Sequence, residues 1–199
     1  MQYKIIEYTE KYHDEWVKCR LLSFLDSSYF DDVHREKERE ENPTLSLLAL
    51  FNDEVIGFID IEYESNIGDV CYLKGKQGGV VWHLGVLKQY RRHGVANRLL
   101  EDAITRLKDL NIERLEAWTQ DDLAANKWYE MQGFVFKESY LNAYFNGSLE
   151  NIKEYLNLDK IGTIYGIRKI NFEAPIERKD ELSKICYRLH EVKLYEIIF

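Results

Sequence analysis

The chain has 199 residues, of which 45% are hydrophobic and 31% are charged, with a net charge of -8 and a sequence pI near 5.2. This length suits one domain, with or without an appended element, and the composition is that of a globular protein rather than a disordered or fibrous one. The acidic balance argues against nonspecific nucleic-acid binding, which needs a surplus of Lys and Arg. It is compatible with cationic substrates, although simple solubility is the leading explanation.

No apolar run approaches the roughly 20 residues that cross a bilayer. The first seven residues lack the basic region and apolar stretch of a secretory signal. Cys19, Cys71 and Cys186 are isolated, with no two at metal-ligand or redox spacing. We therefore predict a cytoplasmic protein with no metal, no membrane partner and no nucleic-acid partner.

The N-terminal half predicts a strand, a helix and a hairpin. Residues 3–7 resemble a first strand, and a helix carrying Trp16, Leu21, Leu22 and Leu25 follows. Residues 24–42 are irregular and charged. Two apolar, β-rich runs at 45–51 and 55–63 flank Asn52-Asp53-Glu54, which is typical of a β-hairpin.

The middle of the chain alternates strands and helices. Residues 80–86 form a near-continuous apolar run, which predicts a central strand buried on both faces. A helix follows, with one apolar face made of Ala96, Leu99, Leu100, Ala103, Ile104, Leu107 and Leu110. After a strand at 115–119, Asp121 or Asp122 can cap another helix that ends at Gly133. This order predicts an α/β or α+β fold with helices on a mixed sheet.

The C-terminal part carries no recognisable motif. Residues 148–158 resemble a helix and 161–170 a strand, and Leu182, Ile185, Cys186 and Leu189 recur at helical spacing after Pro175. We divide the chain into a domain at 1–146 and an extension at 147–199 that completes the sheet and adds a helix. Covering the substrate side, forming a homodimer contact and completing the core all stay open as roles for the extension.

The loop at 91–97 is the most informative segment, because it joins the buried strand to the clearest helix of the chain. The first N–H groups of a helix lack internal acceptors, and the helix dipole leaves partial positive charge there. Gly94 lets an anion approach the main chain, and Arg91 and Arg92 add charge. Neither a P-loop nor a Rossmann glycine pattern is present. The segment is thus either an anion site or a tight turn with solvated arginines.

Two motifs make the resemblance specific. The run Arg91-Arg92-His93-Gly94-Val95-Ala96 resembles the pyrophosphate motif of the GNAT superfamily of acyl-CoA-dependent N-acetyltransferases. The segment 121–134, with its Trp-Tyr-Glu-x-x-Gly-Phe ending, is similar to a later helix of that family. The resemblance covers residues 3–145 and implies a mixed, mostly antiparallel sheet flanked by helices.

The resemblance also implies roles. The backbone of Leu84 and Val86 would pair with the pantetheine arm, with the Val86 N–H directed at the thioester carbonyl by a bulge. Tyr129 would protonate the departing thiolate. Asn126 would bond the pantetheine amides. The pyrophosphate would be held by N–H groups of the loop and helix start, at Arg92, His93, Gly94, Val95, Ala96 and Asn97, beside Arg91.

The chain departs from the family pattern at two places. Asp122 stands where many relatives have a cofactor-binding asparagine, so helix capping is its expected role. Ala117, Trp82 and Val80 occupy positions where relatives carry a general base. His83, Glu62 and Glu64 stay open as alternatives, and a core or interface role is the leading interpretation of His83.

We therefore predict an enzyme that moves the acetyl group of acetyl-CoA to a primary amine by direct attack. A small-molecule amine is the favoured acceptor, with the acidic residues Asp26, Asp31, Asp32 and Glu36 drawing a cationic substrate. The alternatives are a protein or peptide N-acetyltransferase and a noncatalytic acyl-CoA-binding regulatory module.

Overall fold

The computed structural model describes residues 1–25, 27–31, 34–37, 41–148 and 169–199. In these ranges the chain forms eight strands, which are β1 (Lys4–Glu7), β2 (Thr44–Phe51), β3 (Glu54–Tyr63), β4 (Gly78–Val86), β5 (Arg114–Thr119), β6 (Val135–Asn146), β7 (Lys169–Ala174) and β8 (Arg188–Ile198). The helices are α1 (His13–Phe24), α2 (Val95–Asp109), α3 (Leu123–Met131) and the single turn α4 (Lys179–Leu182). No helix in the described ranges is long and apolar enough to cross a membrane.

All eight strands join one sheet in the order β1-β2-β3-β4-β5-β8-β6-β7. Every neighbouring pair is antiparallel except β4 and β5, which run parallel because α2 crosses over between them. This confirms the predicted mixed, mostly antiparallel sheet flanked by helices.

The predicted hairpin is β2 and β3. Asn52 and Asp53 take φ angles of 51° and 64°, in the left-handed region that Asn and Asp tolerate better than other side chains. The turn residues thus set the register that pairs Phe51 with Glu54.

Two apolar layers sandwich the sheet. On one face, Leu99, Ala103 and Leu107 of α2 pack with Tyr129 of α3 against the strands. On the other, Trp16 and other α1 side chains cover β2 and β3. Of the apolar face predicted for α2, Leu99, Leu100, Ala103 and Leu107 are buried, Ala96 and Ile104 are partly buried, and Leu110, just after the helix, is exposed.

Helix α1 buries a different set of side chains from the one that the sequence predicted. Trp16 is buried, but Leu21, Leu22 and Leu25 are exposed. Cys19 and Phe24 are buried in their place, because the helix turns the Trp16 side toward the sheet.

The helical spacing of Leu182, Ile185, Cys186 and Leu189 does not correspond to a helix over these residues. Helix α4 ends at Leu182, and β8 begins at Arg188. Leu182, Ile185, Cys186 and Leu189 cluster around the intervening turn, so their spacing reflects burial rather than helix. Strand β8 is then stabilised by hydrogen-bonding partners on both edges, β5 and β6.

The helix predicted at 148–158 lies outside the described residues except for its first residue. So does the strand predicted at 161–170 except for its end, which belongs to β7. The division of the chain at 146/147 and the homodimer contact stay predictions.

Candidate active site

Strands β4 and β5 separate halfway along their length. They pair only where Gly78–Val81 faces Arg114–Ala117. On the other side of β4, Asp60 pairs with His83 and Ile61 with Val81, which leaves Trp82 as the extra residue of a β-bulge. From Trp82 onward β4 keeps β3 as a neighbour but turns its second edge to a gap.

The backbone of β4 presents polar groups to this gap. The Leu87 N–H donates to Ile56 O on β3 at 2.9 Å. Because successive N–H groups of a strand point to opposite edges, those of Val86 and Leu84 point into the gap. The edge is therefore able to pair with an extended ligand as an added strand would.

Helix α2 starts at the same gap without a side-chain cap. Gly94 is its N-cap residue and has φ 79°, a left-handed conformation that suits glycine. The first intrahelical bond runs from Arg98 N to Gly94 O at 3.0 Å. The N–H groups of Val95, Ala96 and Asn97 precede it and have no helical acceptor, which together with the helix dipole favours an anion.

The basic side chains of this loop have different surroundings. Arg91 donates through Nε to Val86 O at 3.0 Å and through Nη2 to Ser23 O at 2.8 Å, so its guanidinium joins the end of β4 to α1. Arg92 is exposed at φ 63°. His93 is also exposed, and its Nδ1 lies 2.9 Å from Arg91 O.

Tyr129 lies on α3 and is 7% exposed. Its ring stacks on Tyr195 of β8 and meets Trp128 and Phe134 edge-on. Burial raises the pKa of Tyr129 well above the ordinary value of 10, and the nearby Tyr29 adds to the effect. The hydroxyl therefore stays protonated at neutral pH.

The start of α3 is fixed by two side chains. Asp122 Oδ1 accepts from Ala124 N at 2.9 Å and Ala125 N at 3.1 Å, which confirms the predicted cap. Asn126 donates to Gln120 O and Asp122 O and accepts from the Tyr195 hydroxyl. These bonds use both of its amide protons inside the protein. The contact of Asn126 with a cofactor stays a prediction.

One cavity of about 960 Å³ connects these groups. Of the predicted site residues, its wall contains Leu84, Val86, Arg91, Arg92, Gly94, Val95, Ala96, Asn97 and Tyr129. His93 and Asn126 lie outside the wall. The sequence pattern thus located most of one continuous surface.

Two of the three open alternatives for a general base, Glu62 and Glu64, are engaged outside the cavity. Glu64 accepts backbone N–H groups of Gly68, Cys71 and Gly78. Glu62 accepts from Asn42 Nδ2 and Trp82 Nε1. Both carboxylates are buried and lie outside the cavity wall.

His83 does line the cavity, because the bulge at Trp82 changes the alternation of β4. Its Nε2 is 3.1 Å from Arg20 Nη2, and its Nδ1 is 3.6 Å from Asp60 Oδ2. A proton gained on Nε2 would face the guanidinium of Arg20. This arrangement favours the structural interpretation of His83.

Sequence analysis missed the aromatic end of the cavity, formed by Tyr29, Trp118 and Tyr140. The hydroxyl of Tyr29 accepts from Gln120 N at 2.8 Å, which brings the segment after α1 to the end of β5. The position of Trp118 could have been inferred from the sequence, because strand alternation places Trp118 and Glu116 on the same face of β5. No sequence signal marked Tyr29, which lies in an irregular segment.

Comparison with known proteins agrees with this geometry. The family model described as "Acetyltransferase (GNAT) family" matches residues 7–134. The N-alpha-acetyltransferase 30 of Schizosaccharomyces pombe is 27% identical over 107 residues, which cover 53% of this chain and 67% of that protein.

Solved structures show the same fold. An acetyltransferase of the GNAT family from Streptococcus pneumoniae superposes with a TM-score of 0.60 at 19% identity, with 100% of both chains covered. The PaiA N-acetyltransferase of Thermoplasma acidophilum, solved in complex with coenzyme A, gives a TM-score of 0.57 at 15% identity over 69% of this chain and 92% of that one.

The open edge of β4, the start of α2 and Tyr129 all border one cavity. The chain belongs to the GNAT family of acetyltransferases. The predicted family and the predicted class of enzyme are confirmed.

Proposed function

We propose that this enzyme transfers the acetyl group of acetyl-CoA to a primary amine of a small molecule, by direct attack of the amine in a ternary complex. The observation that supports it is the single cavity that joins the open edge of β4, the start of α2 and Tyr129. Donor and acceptor can therefore meet beside one proton donor.

The residues present fit coenzyme A. The N–H groups from Arg92 to Asn97 would hold the pyrophosphate, with Arg92 as an exposed charge beside them. The edge at Leu84 and Val86 would hold the amide-bearing pantetheine arm by strand-type pairing. We assign Arg91 to fixing the loop, since its guanidinium bonds Val86 O and Ser23 O.

Two groups of the chain would act on the reacting atoms. The Val86 N–H would stabilise the negative charge that develops on the thioester oxygen. Tyr129 would protonate the departing sulfur. Burial raises the pKa of Tyr129 and favours the neutral phenol, so the proton is present on the hydroxyl when the thiolate departs.

The cysteines support direct attack rather than a covalent acetyl-enzyme. None of the three lines the cavity. Burial raises the pKa of Cys19 to about 12, and it also raises the pKa of Cys71. Protonated thiols away from the site are poor nucleophiles. All three are free, which supports the proposed cytoplasmic location.

A protein N-terminus is the second candidate acceptor, favoured by the likeness to N-alpha-acetyltransferase 30. Thiol release from acetyl-CoA would be followed with small amines in one series and with short peptides, with and without a blocked N-terminus, in the other. We expect small amines to be turned over with the higher kcat/KM. Higher kcat/KM for free N-terminal peptides would instead assign the enzyme to proteins. No release with either series would contradict amine acetylation.

A further inference from the structure

One face of the sheet carries an unusual set of glutamates around the aromatic end of the cavity. The strand registers place Glu62, Glu116, Glu138, Glu173 and Glu196 on the face that α1 also covers, together with Trp118 and Tyr140. Arg114 pairs with Glu116 and Glu196. Glu62, Glu138 and Glu173 form no ion pair with Lys or Arg of the described residues.

Aromatic rings lie next to these three carboxylates. Trp118 meets Tyr72 and Tyr140 with ring centroids 5.5 Å and 5.4 Å away. Trp82 lies across the gap on the bulge of β4 and is 50% exposed. We call Tyr72, Trp82, Trp118 and Tyr140 the aromatic wall. All but Tyr72 line the cavity, and Tyr72 joins them through its ring contact with Trp118.

Each outer ring has a carboxylate at its polar end. Trp82 donates its indole N–H to Glu62 at 2.8 Å. A hydrogen bond with Glu138 raises the pKa of Tyr72. Burial raises the pKa of Tyr140 to about 12, and Glu173 contributes to the rise. A carboxylate therefore lies at the polar end of each of these three rings, and its negative charge adds to the attraction of the rings for a cation.

The position of Tyr72 is fixed by buried charge. Glu116 accepts from Tyr72 N and Leu73 N at 2.9 Å each. Arg114 bonds the carbonyl groups of Leu73 and Lys76. Burying charges is costly unless their hydrogen bonds are satisfied. The 65–77 loop is thus built to hold its exposed tyrosine, 61% accessible, against Trp118.

We propose that the aromatic wall binds a cationic centre of the acceptor that is separate from the reacting amine. This inference rests on the proposed function. The attacking nitrogen must be neutral, so a wall suited to a cation recognises a second charge in the same molecule. The acceptor is accordingly a small amine that carries another ammonium group, and Tyr72, Trp82, Trp118 and Tyr140 determine its selectivity.

The test compares two amines of equal shape, (3-aminopropyl)trimethylammonium and 4,4-dimethylpentan-1-amine, in which a tert-butyl group replaces the cation. The quaternary charge also lowers the pKa of the nearby amine. The informative quantity is therefore the change on substitution in the ratio of the two kcat/KM values. Trp118→Leu should lower this ratio about tenfold, the scale of a cation–π contact, mainly through KM. Trp118→Phe should retain most of it.

Two further variants separate recognition from general damage. Tyr72→Leu, at an exposed position, should also lower the ratio. Trp128→Leu, at the cofactor end, should lower both kcat/KM values and leave the ratio unchanged. An unchanged ratio in both Trp118→Leu and Tyr72→Leu would overturn the proposal while amine acetylation stands.

If the parent acetylates neither amine, binding still tests the wall. Tetramethylammonium should quench the tryptophan fluorescence of the parent saturably and that of Trp118→Leu much more weakly. Equal quenching of both proteins would overturn the proposal independently of the reaction.

Discussion

The ring of Tyr195 lies parallel to that of Tyr129, with the centroids 5.9 Å apart and the planes 15° from parallel. The Tyr195 hydroxyl donates to Asn126 Oδ1 at 3.0 Å and lies 3.2 Å from Glu130 Oε1, both on α3. Strand β8 thereby fixes the helix that carries the proposed acid, so the position of Tyr129 depends on a segment outside both sequence motifs.

The anion site at Gly94 is testable with two variants that differ in charge alone. Asn and Asp both tolerate the left-handed conformation of this residue, φ 79°. Gly94→Asp should weaken acetyl-CoA binding at least tenfold relative to Gly94→Asn, because its carboxylate would face the pyrophosphate. The measurement is the rise in melting temperature with acetyl-CoA. If acetyl-CoA raises the melting temperature of both variants equally, the pyrophosphate does not bind at Gly94.

Tyr129→Phe should keep coenzyme A binding and lower kcat by about 10²-fold or more. Tyr195→Phe is the comparison variant, since it removes a hydroxyl from the adjacent stacked ring together with the bonds that hold α3; it should cost stability and lower kcat less than Tyr129→Phe. Because the pKa of Tyr129 is raised, its ionisation should not reduce kcat below pH 10. A Tyr129→Phe enzyme with parental single-turnover rates would remove the phenol from the mechanism.

The buried carboxyl of Asp60 should make the free energy of unfolding depend on pH in the acidic range. Burial raises its pKa, but His83, Lys37 and Ser46 outweigh burial and hold the pKa at about 2, against an ordinary 3.8. The stabilisation is therefore present above about pH 4 and disappears as the pH falls toward 2. Its full size is about 2 kcal/mol.

Urea unfolding from pH 5 to pH 2.5 would measure this effect. The stability difference between the parent and Asp60→Asn should narrow as the pH falls. Asp53→Asn, in the exposed β2–β3 turn, is the surface control for the removal of one carboxylate. A constant difference for Asp60→Asn would mean that Asp60 titrates normally.

The Glu64 carboxylate should hold the backbone of the 65–77 loop in one conformation. Glu64→Gln leaves one acceptor oxygen for the three backbone N–H groups that the carboxylate now binds, at Gly68, Cys71 and Gly78. Hydrogen exchange at these amides should accelerate about tenfold or more. Glu113→Gln, whose carboxylate pairs with Lys76 on the surface, should change exchange little. Unchanged protection in Glu64→Gln would show that the loop is held by other contacts.

Short sequence patterns predicted the features of this fold that depend on neighbouring residues. The turn chemistry of Asn52-Asp53, the apolar face at Leu99 and Leu107, and the cap at Asp122 all follow from short-range rules, and the structure contains each of them. The cavity residues of the loop at 91–97 were found for the same reason, since a helix start binds anions through its own backbone.

What could not be predicted depends on partners distant in sequence. No local pattern indicated that Tyr195, 69 positions away, bonds the amide oxygen of Asn126. Asp31 was expected to attract a cationic substrate, but its carboxylate pairs with Arg188 at 2.9 Å, which lowers the pKa of Asp31 and neutralises its charge. Asp26 and Asp32 lie outside the described residues.

The central place of β8 has a consequence for how the molecule is made. Strand β5 ends at Thr119, yet its neighbour toward β6 begins only at Arg188. During synthesis, one edge of β5 lacks its native partner strand until about 70 further residues have been added. A nascent chain paused in this interval exposes a strand edge that can pair with another chain. Arrival of β8 closes that edge and orders Tyr129 in the same step.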